Sequence, residues 1–491
     1  MAVPESPTVP PAATTLAGAV GVWRGLPVPV ILYLASVMIP LGATVGGLVL
    51  TDLRILLLVM IVPLTLRLLS GAYGGVMATD VLFLCYVAWG TLALAVNNPD
   101  RVVQFAGSTG VEFFGGYVLA RAYIRSAETF AVLTRALIWL VAATLPIALY
   151  ETVTSHPIVV ELLQRLPGLT ASVVPAYTIP RFGFTRVQAV FAHPIHYGLF
   201  CTIAFSLCFV GLRGAMPDIR RHLLSAVCAV CALLSLSAGP MLALALQGML
   251  ILWVSLLRGV KSRWLILLGL FVLAYVVVDL ASNRTPYKVF LTYATFSSGT
   301  AYWRDLILQW GLYNVGQNPV FGIGLNDWVR PAFMYSSSVD NFWLLAAMRY
   351  GTPGFALLAA GYGWSLWRVG LRDFDADPAL YQLRRAWMFS LVGLSFTLVT
   401  VDVWGTLYSF VFFLYGAGMW LLTATPGTAA APAEAPPARG LRLRREGGVR
   451  PPLTSGATPV FRRARPVAEP GRAAPRLTRF PPGSRPTDGR K

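Results

Sequence analysis

Two polar stretches interrupt an otherwise apolar chain: Pro180–Gly198, which carries Arg181, Arg186, His193 and His196, and Thr300–Gly324, which carries Trp303 and Arg304. A third, Asp340–Gly354, opens on Asp340 and Asn341. Arg suits phosphate best, because its planar fork donates two parallel hydrogen bonds and keeps its charge at any working pH. Arg181, Arg186 and Arg304 on one side of a bilayer would meet the diphosphate of a polyprenyl lipid whose tail lies in the membrane. The blander role is contact with lipid headgroups or with helix carbonyls. His193 and His196, two of only four histidines, share a helical face at their spacing of three. They suit structural hydrogen bonding, substrate contact or proton acceptance; no carboxylate or cysteine beside them completes a metal shell, so no metal is expected.

Asp340 at a helix start can take a proton from a sugar hydroxyl as general base, or cap the helix through its side-chain oxygen; the roles are compatible. Trp303 and Asn341 stand beside these charges and join Arg181, His193 and His196 as expected substrate contacts. Arg349 is a charge within a span and a functional candidate for that reason, with Asp279 or Asp402 as possible partners. The segment Asn318–Gly324, NPVFGIG, does not follow a strand, so a dinucleotide or phosphate-loop reading fails on context. Its glycines fit a tight fold-back of the chain.

The elements that must position these residues are membrane helices. Of 491 residues 56% are hydrophobic and 12% charged, and the mean hydropathy is +0.64, far too little polar surface for a soluble globule. Segments 25–51, 187–212 and 223–257 hold no charge, and about 20 apolar residues cross hydrocarbon as a helix. Twelve spans are expected, near 27–48, 53–70, 80–97, 104–120, 131–150, 191–212, 222–238, 240–257, 264–281, 339–367, 386–402 and 405–423. The division at Ser237–Pro240 is read as a hairpin, because one helix through it would be too long. The expected fold class is thus an all-α polytopic membrane protein, with a transmembrane domain over 27–424 and a large connection between late helices.

Arg67, Arg121, Arg125, Arg213, Arg220, Arg221, Arg258, Lys261, Arg263, Arg368, Arg372, Arg384 and Arg385 fall in alternate connections, which the positive-inside rule makes cytoplasmic. Both termini are then cytoplasmic. The long connections 151–190 and 282–338 face the other side, with a short surface helix expected within Pro157–Leu169. Residues 1–26 read as a disordered leader and lack a signal peptide; residues 425–491 read as a disordered tail whose fourteen basic residues face four acids. That tail supplies much of the net charge of +18 and suits membrane lipid rather than nucleic acid. The cysteines, Cys228 and Cys231 included, sit in apolar runs as small hydrophobes.

In Arg186–Gly198, Trp303–Gly324 and Asp340–Gly354, with a large connection before the last helices, the chain resembles the O-antigen ligase and Wzy-type polymerase superfamily over about 27–423. The resemblance implies a GT-C-like membrane glycosyltransferase of the bacterial inner membrane, using undecaprenyl-pyrophosphate-linked glycan on the periplasmic face with no cofactor, nucleotide sugar or metal. Arg186 and Arg304 match positions where the family places pyrophosphate-binding arginines, and Arg181 is a nearby second candidate. Asp340 stands where many ligases have the His proposed as base, and Ser235–Pro240 lacks an Arg common after the Ser. Both departures favour an exopolysaccharide polymerase-like member over a lipid A ligase. A chain-length regulator and a flippase of the same pathway are the implied protein partners. A ligase acting on finished glycan, or a lipid-linked oligosaccharide flippase, are the alternatives; a flippase would spread charge through the membrane depth, whereas here Arg and His gather at one face.

Overall fold

The computed structural model describes residues 23–45, 48–166, 170–293 and 298–426. The expected leader and tail therefore lie almost wholly outside the described residues. Long apolar runs become helices because, in hydrocarbon, every backbone polar group must bond within its own segment. Among the described residues six helices are long and apolar enough to cross a membrane: Ala78–Asn97, Ala127–Thr154, Pro194–Gly211, Ala238–Leu256, Arg263–Ala281 and Gly405–Leu422. This is a mostly helical, multi-pass membrane protein. Five of the other expected spans also fall on helical chain, at Asp52–Leu69, at Val102–Phe105 continued by Ala106–Gly115 and Gly116–Tyr123, and at Asp218–Leu234, Phe342–Gly370 and Pro378–Leu398.

The first expected span is corrected. Its helix stops at Met38, and after Pro40 the chain forms an antiparallel hairpin, Leu41–Val45 with Leu48–Thr51, to which Thr170–Ala171 adds a third strand. Pro40 has no N–H to continue a helix, while its carbonyl accepts from Ser172 N at 2.9 Å. The long connection 282–338 carries helices of its own, Pro286–Tyr293 and Ser298–Gln317, and Arg304 lies inside the latter.

Pro194–Gly211 and Gly405–Leu422 are the most enclosed spans, and Arg263–Ala281 buries none of its residues. Aromatic contacts knit the centre: Phe83 meets Phe113, Tyr117 and Phe412 edge-on. Buried charges there are paired. Arg54 Nε bonds Glu112 Oε1 at 2.8 Å, and Asp80 lies between the Tyr117 hydroxyl and Arg121. Glu112 belongs to a wide π-helical stretch, Ala106–Gly115, a geometry concentrated at functional sites.

Candidate active site

One end of the bundle is built from segments far apart in sequence. The helices Asp218–Leu234 and Ala238–Leu256 meet there at a break, Ser235–Ser237, with Leu236 in the left-handed region at φ 44°; the expected hairpin division falls at this point. The approach to Pro194–Gly211 is an extended strap. Glu151 holds it from below, its two carboxylate oxygens accepting from Gln188 N at 2.7 Å and Ala189 N at 3.0 Å. Immediately before that clamp, Arg186 donates to Ser237 Oγ at 2.9 Å, and Arg181, at the base of a tight turn with Phe184, donates to the Leu236 carbonyl at 2.8 Å. The helix break thus supplies acceptors for both strap arginines.

The arginines share one electrostatic neighbourhood. Burial first, then the charge of Arg181, pulls the Arg186 pKa down to about 10, which still leaves it cationic at neutral pH. Burial lowers Arg304 too, opposed by Asp340 and Tyr287 and reinforced by Arg181. Arg181 therefore acts on both Arg186 and Arg304, which puts the two polar stretches within range of one another's charge. Arg186 Nε and Arg304 Nε are buried with no hydrogen-bond partner. Guanidinium N–H groups withdrawn from water and left without an acceptor are costly; an anion reaching them would satisfy them.

His193 precedes the first helical residue of Pro194–Gly211 and its Nδ1 accepts from Ile195 N at 3.2 Å. Burial, then the positive charges of Arg186 and Arg181, lowers its pKa to about 4, so it is neutral and adds no further cation. His196 is buried under the Trp404 ring, centroids 4.1 Å apart, with Nε2 unpartnered.

Asp340 does not cap the helix it precedes. Asn341 does, its side-chain oxygen accepting from Leu344 N at 3.0 Å. Asp340 instead accepts from Ser338 Oγ at 2.9 Å and lies in the field of Arg304. Of the roles expected for Asp340, the capping one therefore passes to its neighbour, and Asn341 is committed to the backbone. Trp303 remains 40% exposed beside Tyr302 and Phe333.

Two residues matter more than their sequence context suggests. Asp402 lies in the link Thr400–Trp404, between helices, where burial first and then the charge of Asp340 raise its pKa to about 6 against the pull of Arg349. Arg349 therefore answers Asp402. Both line a cavity of about 310 Å³ together with Tyr86, Glu112, Phe342 and Trp404. Arg349 also lines a second cavity of about 350 Å³, with Asn326, Asp327, Arg330 and Ser337. The signal for Asp402 was present as a lone acid between the last two apolar runs.

The NPVFGIG segment fixes Arg349. Ile323 N and Gly324 N donate to the carbonyls of Met348 and Arg349 at 2.8 and 3.1 Å, and Thr352 N donates to Pro319 O at 2.7 Å. These bonds cross a break in Phe342–Gly370 at Gly351, φ 69° and ψ −179°, a conformation open essentially to glycine alone. The expected tight fold-back is seen, docked on a helix break.

Residues 223–359 match the family model described as O-antigen ligase, Wzy_C. Over that stretch, well under half of the chain, the protein is similar to the O-antigen ligase and Wzy-type superfamily. The matched residues include Ser237, Arg304, Asp340 and Arg349, and exclude Arg181, Arg186, the histidines and Asp402. No curated protein matches the chain.

Proposed function

We propose that this protein is a glycan polymerase of the bacterial inner membrane, transferring oligosaccharide from undecaprenyl pyrophosphate to a sugar hydroxyl on the periplasmic face. The observation that carries the reading is the convergence of Arg181, Arg186 and Arg304 beside Asp340, with buried guanidinium N–H groups lacking an acceptor. A diphosphate satisfies those groups, and fixed cations placed where negative charge grows are usually the largest catalytic contribution.

In the reaction the acceptor hydroxyl oxygen bonds to the anomeric carbon as the bond from that carbon to the phosphate oxygen breaks. The electron pair leaves on the polyprenyl diphosphate, between Arg186 and Arg304. The hydroxyl proton passes to the Asp340 carboxylate, which Ser338 orients. Diphosphate is already a good leaving group, so no strong general acid is required. On this reading the site end of the bundle is periplasmic, the arginine-rich short connections and both termini are cytoplasmic, and a flippase and chain-length regulator are the working partners.

The test supplies lipid-linked repeats to the purified protein in bilayers. Wild type lengthens them, and Arg304→Ala stops extension while the protein stays in the membrane; undiminished extension removes Arg304 from the mechanism. In cells lacking the protein, single repeats should accumulate on the lipid carrier, whereas full-length chains there would identify a ligase.

A further inference from the structure

The helices that begin at the candidate site end, some 27 Å away at about 1.5 Å per residue over Pro194–Gly211, at a second, different cavity. Its volume is about 950 Å³, and it is lined by Arg213, Arg221, Arg258, Arg263 and Arg385 with Asp218 as its one carboxylate. Arg221 is buried and consumes that carboxylate, bonding Asp218 at 2.8 Å and the Phe209 carbonyl while lying over the Phe209 ring.

The other four guanidiniums have no ion-pair partner among the described residues. Arg263 bonds the Tyr381 hydroxyl at 2.9 Å and Arg385 the Gln382 amide oxygen at 3.2 Å, yet Nε of each is buried without a partner. Arg385 feels the like charges of Arg263, Arg213 and Arg384; Asp373 and Asp375 act on Arg384, outside the cavity. Orientation in a membrane needs only that basic residues lie in the right connections. It does not require them to converge on one hollow, with Arg263 and Arg385 partly withdrawn from water and Arg385 under the like charge of its neighbours. An anion bridging them removes both penalties, and Arg forks match phosphate oxygens.

The remaining lining is apolar, from Phe205, Phe209, Ile251 and Leu252. It runs onto a helix surface that exposes Met249, Leu252 and Leu256, the surface a lipid-facing helix presents. We propose that this cleft binds an anionic phospholipid, its phosphate among Arg213, Arg258, Arg263 and Arg385 and its acyl chains along Phe205, Ile251 and Leu252. Four cations suit a headgroup with two phosphodiesters, as in cardiolipin, better than a single phosphate. A soluble anion would use the arginines and leave the apolar wall idle.

The test uses the full chain, purified and exchanged into phosphatidylcholine micelles, then titrated with cardiolipin, further phosphatidylcholine or inorganic pyrophosphate. Bound lipid is read by native mass spectrometry and the thermal midpoint followed in parallel. Cardiolipin should be retained and raise the midpoint, while phosphatidylcholine should not. The double variant Arg213→Gln/Arg258→Gln, two exposed side chains, should weaken cardiolipin about twenty-fivefold, at roughly fivefold for each guanidinium removed near an anionic headgroup. Arg368→Gln, outside the cleft, should leave it unchanged. Equal retention of both lipids, undiminished affinity in the double variant, or displacement of cardiolipin by pyrophosphate would each overturn the proposal.

Discussion

Arg186 reaches across from the strap before Pro194–Gly211 and donates to Ser237 Oγ at 2.9 Å, at the break between the helices Asp218–Leu234 and Ala238–Leu256. Ser237 in turn donates to the Ser235 carbonyl at 2.8 Å, so the acceptor itself is oriented. Ser237→Ala removes that seat without touching the guanidinium. A hydrogen bond to a charged group contributes roughly 1.5–3 kcal/mol, so kcat/KM for the lipid-linked donor should fall about ten- to hundredfold. Ser237→Thr, which keeps the hydroxyl, should recover most of it. Unchanged kcat/KM in the Ala variant would mean that Arg186 is placed by the strap alone.

Asp340 and Asn341 are separable because the structure gives them different work. Asn341→Ala removes the cap on Leu344 N and should cost roughly 1 kcal/mol of stability, seen as a lower thermal midpoint with turnover largely retained. Asp340→Asn leaves the cap intact and removes a proton acceptor. It should reduce turnover by about 10²–10⁴-fold, the usual span for general acid–base catalysis, at a near wild-type midpoint. The opposite pattern would assign Asp340 to structure.

Much of this site was legible in the sequence, since Arg and His gathered in two stretches of an oily chain are conspicuous. What was hidden depends on distance along the chain or on local backbone geometry. The hairpin after Pro40 needs Thr170–Ala171, whose partnership no local pattern announces. Adjacent Asp340 and Asn341 are equally good caps by type, and only the extended backbone of Asn341, at φ −158°, decides between them. The helix Ser298–Gln317 that carries Arg304 mixes polar and aromatic residues all round and shows no clear apolar face, so no local pattern announces it. The six helices long and apolar enough to cross a membrane, by contrast, follow from run length.

Asp402 links pH to both stability and activity, in opposite directions. Its folded pKa, raised by burial to about 6 from an ordinary 3.8, means the folded state holds the proton more tightly than the unfolded chain. The stability this gives is fully present below the unfolded value and is lost as pH rises through about 6. Lowering pH from 7.5 to 5.5 should therefore raise this group's contribution to the thermal midpoint. Over the same interval turnover should fall, because neutral Asp402 no longer answers Arg349. Asp402→Asn should abolish both responses. Coincident pH profiles of the variant and wild type, in melting and in turnover, would exclude Asp402 as the titrating group.

Gly351 lets the Phe342–Gly370 helix break and the NPVFGIG segment dock, and so places Arg349 between its two cavities. A Cβ there would collide with the Val320 carbonyl, and the φ of 69° disfavours any L side chain. Gly351→Ala should cost at least roughly 1–3 kcal/mol from backbone strain alone, lowering the thermal midpoint and, with Arg349 displaced, turnover as well. Gly316 offers the matched control, since it lies within Ser298–Gln317 and a Cβ there meets nothing within 4 Å. Gly316→Ala should be neutral or stabilising by up to about 1 kcal/mol, the helix preference of Ala over Gly. If both substitutions behaved alike, the docking of Pro319–Gly324 on the helix break would not be what holds Arg349 in place.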